Sequence, residues 1–342
     1  MKTRFGSRVA ASLGAATAVL AAVTLTACGG VDAGTEGSVV KVGITQGVPV
    51  DLMAVVADKA GLFKKRGVNV QLMPPSLTTA QSAAVVSGDL TIGTMVPGTM
   101  WPTIDKGACV KALGSTLGNT LEVIAQPGTP VTGDPTNPDT TMKSLKGKTI
   151  GVTSRGCGME LWISKMLTQA GLDPATDVSF VAVGAPVTAI TAFKAKKVDA
   201  MYYGPTMEEH LPPSQVKRVT DIVGRSGNAL SPLVQAYYTA SCQALDNRPK
   251  DMGNYCKAIW DAYSFSQDPK NAAAMGKHLG ELIGDTAAGG AKSWDKLKSA
   301  CLKPTVEKSA WEAQAPLVAS PAPAVPDFAK STYEPCAQGD PR

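Results

Sequence analysis

The sequence is poor in the residues that general bases and metal centres most often use. Its 342 residues include only two histidines, His210 and His278, and aromatic residues make up 5% of the chain. No cluster of cysteines or carboxylates surrounds either histidine at metal-ligand spacing, so no metal site is predicted. A catalytic nucleophile needs a base beside it, and no such pair is recognisable. We therefore expect neither an enzyme nor a bound cofactor.

The chain also lacks a strong charge excess and a second long apolar run. Charged residues make up 18%, and the formal net charge is +5. Residues 1–27 contain three basic residues and no acidic ones, so their removal lowers the charge to +2. A nearly neutral chain argues against nucleic acid as a partner. Beyond residue 27 no run of 18 apolar residues occurs, so no membrane-spanning helix is predicted.

The first 28 residues have the layout of an export signal. A basic start is followed by the Ala-rich apolar run Val9–Leu25 and then by small residues. This ending matches the lipobox of bacterial lipoproteins, which implies cleavage before Cys28 and attachment of lipid to its thiol. We therefore expect a signal peptide over 1–27, a flexible tether over 28–38, and an extracytoplasmic protein anchored to the membrane by lipid.

A faint repeat organises the rest of the chain. Lys41–Gln46 resembles Thr149–Ser154, and Ser87–Ile92 resembles Lys197–Tyr202, at offsets of 108 and 110 positions. Each copy alternates short apolar runs with helical patterns, which predicts a mainly parallel sheet flanked by helices. We therefore predict an α/β protein with two similar lobes and a ligand cleft between them. The alternative is that any two β-α-β units look alike.

The points where the chain crosses between lobes are predicted from composition. Pro127–Thr141 is rich in Pro, Thr and Gly, which favours a surface loop. We place hinges at Gln126–Thr141 and Gly227–Leu233, and we predict that Leu233–Ser241 is a strand returning to the first lobe. The resulting division is 39–126 plus 230–342, with C-terminal helices, for the first lobe and 127–229 for the second.

The turn that follows Thr149–Thr153 is the strongest candidate for ligand binding. Ser154–Gly158 joins this strand to a helical pattern starting at Met159. Unpaired N–H groups at such a helix start, together with the helix dipole, favour a small polar or anionic ligand. Arg155 adds a planar, always charged group. An arginine that simply faces solvent would fit the same pattern.

Three segments carry a resemblance to a known family. Ala57–Val68, Ser144–Val152 and Ala192–Ala200 are similar to hallmark segments of extracytoplasmic substrate-binding proteins of ABC importers. That family serves nitrate, taurine, aliphatic sulfonates and thiamine-pyrimidine precursors, and the similarity spans roughly 39–225. It implies a type II periplasmic-binding-protein-like fold, whose two lobes close on a ligand and dock on a membrane permease. It implies no one ligand.

In open parallel sheets, ligands bind beyond the carboxyl ends of the strands. This rule selects candidate ligand-binding residues after the strands of both predicted lobes. They are Gln46, Gly47, Thr94, Met95, Ser115, Thr116, Ser154, Arg155, Gly156, Cys157, Gly158, Tyr203 and Gly204.

The ligand class depends on which of these residues contact it. Arg155 and the free N–H groups favour a sulfonate-like or other small organic anion, bound by a monomer. If Met95, Trp101 and Tyr203 contact it instead, a neutral flat heterocycle such as a pyrimidine or flavin precursor is the alternative. A non-transport enzyme and a structural lipoprotein are further alternatives. The small histidine content and the repeated strand-end loops argue against them.

The cysteines of the predicted mature chain lie in a compartment that permits disulfides. We expect up to two bridges among Cys242, Cys256, Cys301 and Cys336, with Cys109 buried and free. Cys157 falls alone in the second lobe, within the candidate ligand turn. It is either a small packed thiol or a ligand contact.

Overall fold

The computed structural model describes residues 34–45, 47–318 and 323–337. The predicted signal peptide, the predicted lipid anchor Cys28 and the candidate ligand residue Gln46 lie outside these residues. None of the helices in the described part of the chain combines the length and apolar character that a bilayer crossing needs.

Short strands alternate with helices through most of the chain. The strands are β1 Val40–Val42, β2 Val70–Leu72, β3 Gly93–Met95, β4 Val110–Ser115, β5 Glu122–Ala125, β6 Thr149–Val152, β7 Ser179–Ala182, β8 Ala200–Tyr203, β9 Lys217–Arg218 and β10 Tyr237–Ser241.

The helices between and after the strands include several short ones. They are α1 Leu52–Lys59, α2 Leu62–Lys65, α3 Thr78–Ser87, α4 Pro97–Asp105, α5 Pro138–Thr141, α6 Gly158–Gln169, α7 Pro186–Lys194, α8 Cys242–Asn247, α9 Pro249–Gln267, α10 Ala272–Ile283, α11 Ala287–Leu297, α12 Lys308–Glu312, α13 Ala315–Val318, α14 Phe328–Ser331 and α15 Glu334–Ala337.

The strands form two layers with matching orders. Strand β1 pairs with β2 in parallel, and β10 lies antiparallel between β3 and β4. A parallel bridge from Val42 to Ile92, directly before β3, gives the order β2-β1-β3-β10-β4, called the first layer here. The second layer has the order β7-β6-β8-β5-β9, in which β5 alone runs antiparallel to its neighbours. The prediction of an α/β fold is confirmed, and both layers are mixed, with one strand in each running antiparallel to its two neighbours.

Each layer has its own apolar core. Ile150, Ile163 and Phe193 pack in the core of the second layer. The C-terminal helices cover the first layer, where Trp294 of α11 is buried with Val40. The predicted helical character of the C-terminal part agrees with α9, α10, α11 and α12.

One strand lies in a different layer from the one predicted for it. The segment Leu121–Gln126 was predicted to lie in the first lobe, but β5 pairs with β8 and β9 of the second layer. The chain therefore crosses between layers at 116–121, before β5, and not at Gln126–Thr141. The return crossing lies between β9 and β10, and β10 joins the first layer as predicted. Two strands that follow each other in the sequence can pair in one sheet or lie in different sheets, and their residue patterns alone do not distinguish the two cases.

The described end of the predicted tether is held against α9. Glu36 accepts hydrogen bonds from the backbone N–H groups of Lys250 and Asp251, at 2.7 and 3.3 Å. Gly37 N–H donates to the Asp251 carboxylate at 2.9 Å. Residues 34–38 are thus part of the folded unit, because the unpaired amides at the start of α9 attract an acidic side chain.

Two disulfides join elements of the first layer, and the predicted state of Cys109 is wrong. Cys109 is bonded to Cys242, because β10 pairs Ser241 with Val110 and so brings the two flanking cysteines together. The second bridge joins Cys256 to Cys336, two of the four cysteines named for pairing. Among the described residues, the free cysteines are Cys157, which is buried, and Cys301.

Candidate ligand-binding cleft

Two adjoining cavities lie between the first and second layers. The space between their walls, counted together with the solvent at their open mouths, is about 580 Å³ for the first cavity and about 420 Å³ for the second. Both cavities share the walls formed by Val48, Met159, Trp162 and Gln235. We call the two together the cleft.

Residues from both layers and from the return crossing line the first cavity. The first-layer side contributes Thr45, Val48, Val50, Leu77, Thr78 and Val96. The second-layer side contributes Thr153, Ser154, Cys157, Gly158, Met159 and Trp162, with Ala185 beside them. Gln235 and Ala236 come from the return crossing. None of these described residues carries a formal charge, and the same holds for the described lining of the second cavity.

Helix starts converge on the first cavity from both sides. The N-cap residues Leu77 of α3, Val96 of α4, Cys157 of α6 and Ala185 of α7 all line it. None of the four caps makes a side-chain hydrogen bond to its helix. The first amides of a helix lack partners within it, and its dipole places partial positive charge there. Pro97 and Pro186 begin α4 and α7 and have no N–H, but the four helix dipoles still direct partial positive charge toward an uncharged lining.

The second cavity has mainly apolar walls. Tyr202 and Tyr203 line it, but their hydroxyl groups donate to the carbonyl oxygens of Gly184 at 3.0 Å and Leu211 at 2.7 Å. These rings therefore present apolar surface to the cavity. Pro186 and Leu297 extend that surface.

The structure brings five of the sequence-predicted residues to the cleft. Ser154, Cys157 and Gly158 line the first cavity, and Tyr203 and Gly204 line the second. Any larger residue at 158 would crowd the Trp162 ring, since a Cβ there would lie 3.0 Å from it. Cys157 is buried, and its thiol accepts a hydrogen bond from Thr153 Oγ1 at 3.1 Å. The same residue also lines the first cavity.

Arg155 does not line either cavity. Its Nη2 lies 3.0 Å from Glu160 Oε1, and its Nη1 donates to the Phe180 carbonyl at 3.2 Å. The side chain is 61% exposed. Gly156 is also turned outward, and its N–H donates to Glu160 at 2.8 Å. Glu160, in the first turn of α6, thus pairs with Arg155 and with the Gly156 N–H, two of the groups that were predicted to bind the ligand.

The remaining predicted residues support the cleft from behind or from its rim. Thr116 Oγ1 donates to the Ala236 carbonyl at 2.9 Å, and Ser115 N–H donates to the Thr305 carbonyl at 3.0 Å. Met95 is fully buried. Gly47 approaches the other layer at the rim, where a Cβ would lie 3.0 Å from Pro186.

A buried polar network holds Thr45 on the wall of the first cavity. Thr45 N–H donates to Asp51 Oδ2 at 2.6 Å, and its hydroxyl accepts from Gln81 Nε2 at 3.0 Å. Thr94, predicted to bind ligand, instead contacts Thr45 Oγ1 at 3.1 Å and Gln81. Complete burial raises the pKa of Asp51 to about 6.

Two lining residues of the cleft, Gln235 and Thr120, are not among the residues predicted from the sequence. Both stand at the beginning of an antiparallel strand, just before β10 and β5. Because such strands run opposite to their neighbours, their beginnings reach the edge where the parallel strands end. The rule that selects residues after strands therefore overlooks them.

Comparison with known proteins agrees with this architecture. The profile of the family described as "NMT1/THI5 like" matches residues 49–272, more than half of the chain. A Brucella abortus protein whose name calls it a binding protein is 30% identical over 161 residues. That alignment spans 46% of this chain and 46% of the Brucella chain, so the match covers about half of the curated relative's length.

Solved structures share the fold across most of the chain. The alkanesulfonate-binding protein SsuA of Xanthomonas axonopodis, bound to MOPS, superposes with a TM-score of 0.68 at 15% identity, covering 88% of this chain and 99% of that one. The periplasmic nitrate-binding protein NrtA of Synechocystis gives a TM-score of 0.60 at 15% identity, covering 73% and 68%. The chain thus has the fold of periplasmic binding proteins, and it belongs to the NMT1/THI5-like family.

Proposed function

We propose that this protein is the extracytoplasmic solute-binding component of an ABC importer. It would capture a small organic oxyanion, such as a sulfonate or carboxylate, in the cleft and deliver it to a membrane permease. The convergence of four uncapped helix starts on the first cavity carries this proposal, since such starts bind anions without a basic side chain. The names of the SsuA and NrtA neighbours, which are anion-binding proteins, support the same ligand class.

The second candidate ligand is a neutral flat heterocycle. The uncharged lining of the described cleft favours it, as does the separation of Arg155 from both cavities. A neutral ligand would lack the favourable interaction of an anion with the four helix dipoles, so we place this candidate second.

Binding fits the cleft better than catalysis. Among the described lining residues, Cys157 has the most nucleophilic side chain. No histidine or carboxylate lines the cavity beside it. A thiol without a base or cationic neighbour is poorly activated. We infer that the ligand leaves the protein chemically unchanged.

The proposed location and anchoring follow from the cysteines and the N-terminal sequence. Two disulfides in the described residues suit an oxidising compartment. The lipobox-like ending before Cys28 supports cleavage and lipid attachment there. The protein would then work as a monomer tethered to the membrane that contains its permease.

A thermal-shift panel tests the proposal. Oxyanions are each paired with a neutral counterpart of the same shape, for example benzenesulfonate with benzenesulfonamide, and pyrimidines and flavins are added. A ligand at 100 times its dissociation constant adds roughly 2.7 kcal/mol of stability, or several degrees in melting temperature. We expect a shift with at least one oxyanion and none with its neutral counterpart, and chromatography should recover the ligand unchanged. Shifts with heterocycles alone would favour the second candidate, and turnover would reject a transport role.

A further inference from the structure

We infer that Gln235 selects the ligand of the proposed cleft, and that this ligand is an aromatic oxyanion carrying an N–H or O–H donor. The inference rests on the proposed function and adds the chemistry of the ligand's middle and tail. It depends on a side-chain acceptor, Gln235 Oε1, at the boundary of the two cavities.

Gln235 is fixed in place but retains one unused polar atom. Gln235 is only 4% exposed. Its backbone N–H donates to the Leu117 carbonyl at 2.8 Å, and its side-chain Nε2 donates to Thr120 Oγ1 at 2.5 Å. Within the described residues its Oε1 accepts no hydrogen bond, although the side chain lines both cavities. A bound ligand displaces water from this atom, so a ligand that donates to Oε1 is favoured over one that leaves it without a partner.

The first cavity offers the opposite hydrogen-bonding character. The hydroxyls of Thr78 and Ser154 and the indole N–H of Trp162 line it, and none has a partner among the described residues. Together with the helix starts, these groups are suited to donate to the oxygens of an oxyanion. A ligand that satisfies both regions has its acceptor group in the first cavity and its donor beside Gln235.

The second cavity suits an apolar ring. With both tyrosine hydroxyls bonded to carbonyl oxygens, Tyr202 and Tyr203 can offer only ring surface. Trp162 forms a wall common to both cavities, so a ring that passes Gln235 contacts an aromatic face on the way. Aromatic rings gain from contact with such faces beyond the area they bury. A short aliphatic or inorganic anion would leave this cavity unfilled.

The position of Gln235 also connects ligand binding to the crossings between layers. Thr120 and Leu117, its two partners, lie in the first crossing, whereas Gln235 lies in the return crossing. A ligand hydrogen-bonded to Oε1 therefore contacts the segments that a closing motion must bend.

Calorimetric titration of the full chain with matched sulfonates tests this assignment. The probes are the three aminobenzenesulfonate isomers, each with its methylbenzenesulfonate counterpart, and methanesulfonate. The methyl group fills the same space as the amino group but donates no hydrogen bond. We expect at least one amino isomer to bind about tenfold more tightly than its counterpart, the factor typical of one hydrogen bond to a buried group.

Two variants distinguish ligand binding by Gln235 Oε1 from a purely structural role of this side chain. Gln235→Met should bring the amino-to-methyl affinity ratio to about one. Thr120→Val removes the partner of Nε2 but keeps Oε1, so the ratio should survive as in the unmodified chain. If Gln235→Met does not fold, the ratio in the unmodified chain decides.

Equal affinities for amino and methyl isomers, or methanesulfonate bound as tightly as the aromatic probes, would overturn the inference. A chain that responds to other members of the thermal-shift panel but to none of these probes keeps the proposed function and loses this inference. A chain that responds to nothing in either experiment loses both.

Discussion

Removing two lysines of α11 should weaken ligand binding without touching the cavity walls. Lys292 Nζ lies 2.9 Å from Glu209 Oε2, and Lys296 forms an ion pair with Glu208. Helix α11 packs in the core of the first layer, whereas the two glutamates follow β8 of the second layer. These ion pairs therefore span the cleft, and they favour the conformation in which the two layers are close.

The exposure of the four side chains sets the size of the effect. Lys292 and Glu209 are 65% and 40% exposed, and Lys296 and Glu208 are 50% and 16% exposed. Exposed pairs contribute about 0.2–1 kcal/mol each, so the two together contribute about 1 kcal/mol. If the free protein is mostly open, losing that energy from the closed state raises the apparent dissociation constant about fivefold.

The assay is calorimetric titration of the Lys292→Ala/Lys296→Ala variant with the strongest ligand from the thermal-shift panel. Lys298→Ala is the matched control, since Lys298 pairs at 3.0 Å with Asp295, only three residues away on the same side of the cleft. The affinity difference between variant and unmodified chain should shrink at high salt, where exposed pairs are screened. The charge swap Lys292→Glu/Glu209→Lys should recover part of the loss.

An unchanged dissociation constant in the double variant would refute this reasoning. So would an equal loss in the Lys298→Ala control, because that loss could not come from contacts across the cleft.

Three further predictions concern stability and the revised role of Arg155. Burial raises the pKa of Asp51 from 3.8 to about 6, so its native state keeps a proton that the unfolded chain releases. Protonated Asp51 therefore raises the free energy of unfolding by about 3 kcal/mol below about pH 4, and this contribution is lost as pH rises through 6. Urea unfolding at pH 4 and 7 should show that the unmodified chain loses this stability whereas Asp51→Asn does not. Equal pH dependence of the two proteins would contradict this. Replacing both Cys109 and Cys242 by Ser should lower the free energy of unfolding by about 2–5 kcal/mol in the same assay, because the bridge spans 133 positions; an unchanged midpoint would count against it. Arg155→Ala should leave the dissociation constant within about twofold, because no cavity contact is lost; a tenfold loss in a binding titration would return Arg155 to the site.

The sequence repeat was informative because it reflects topology. The copies that begin at Lys41 and Thr149 contain β1 and β6, and each is flanked by the two parallel strands that follow it in the chain. Local apolar patterns carry that information, since both strands and helices of a β-α-β unit are encoded within a few dozen residues.

Pairings between distant segments could not be predicted in the same way. The layer that contains β5 and the partner of Cys109 both depend on contacts with segments about 80 to 130 positions away. Cysteine spacing does not determine connectivity. The Arg155–Glu160 pair was local, by contrast, and the i to i+5 spacing across a helix start could have suggested it.

The candidate site was predicted in part for a directional reason. Ser154, Cys157 and Gly158 follow a parallel strand, where the strand-end rule applies. Gln235 precedes an antiparallel strand, and its position at the cleft becomes visible only when the direction of β10 is known.

The proposed function is tested most directly by asking whether an oxyanion binds inside the cleft. Ala185, the half-buried cap of α7, lines the first cavity, and Ala185→Trp should fill it. Val187→Trp places the same ring two residues along α7 at a site that is 60% exposed. In calorimetric titrations with the strongest oxyanion from the panel, we expect binding by the unmodified chain and by the Val187→Trp variant. Ala185→Trp should lose at least tenfold in affinity, since a filled cavity cannot admit the ligand. Equal affinity in all three proteins would place the ligand elsewhere and contradict this proposal.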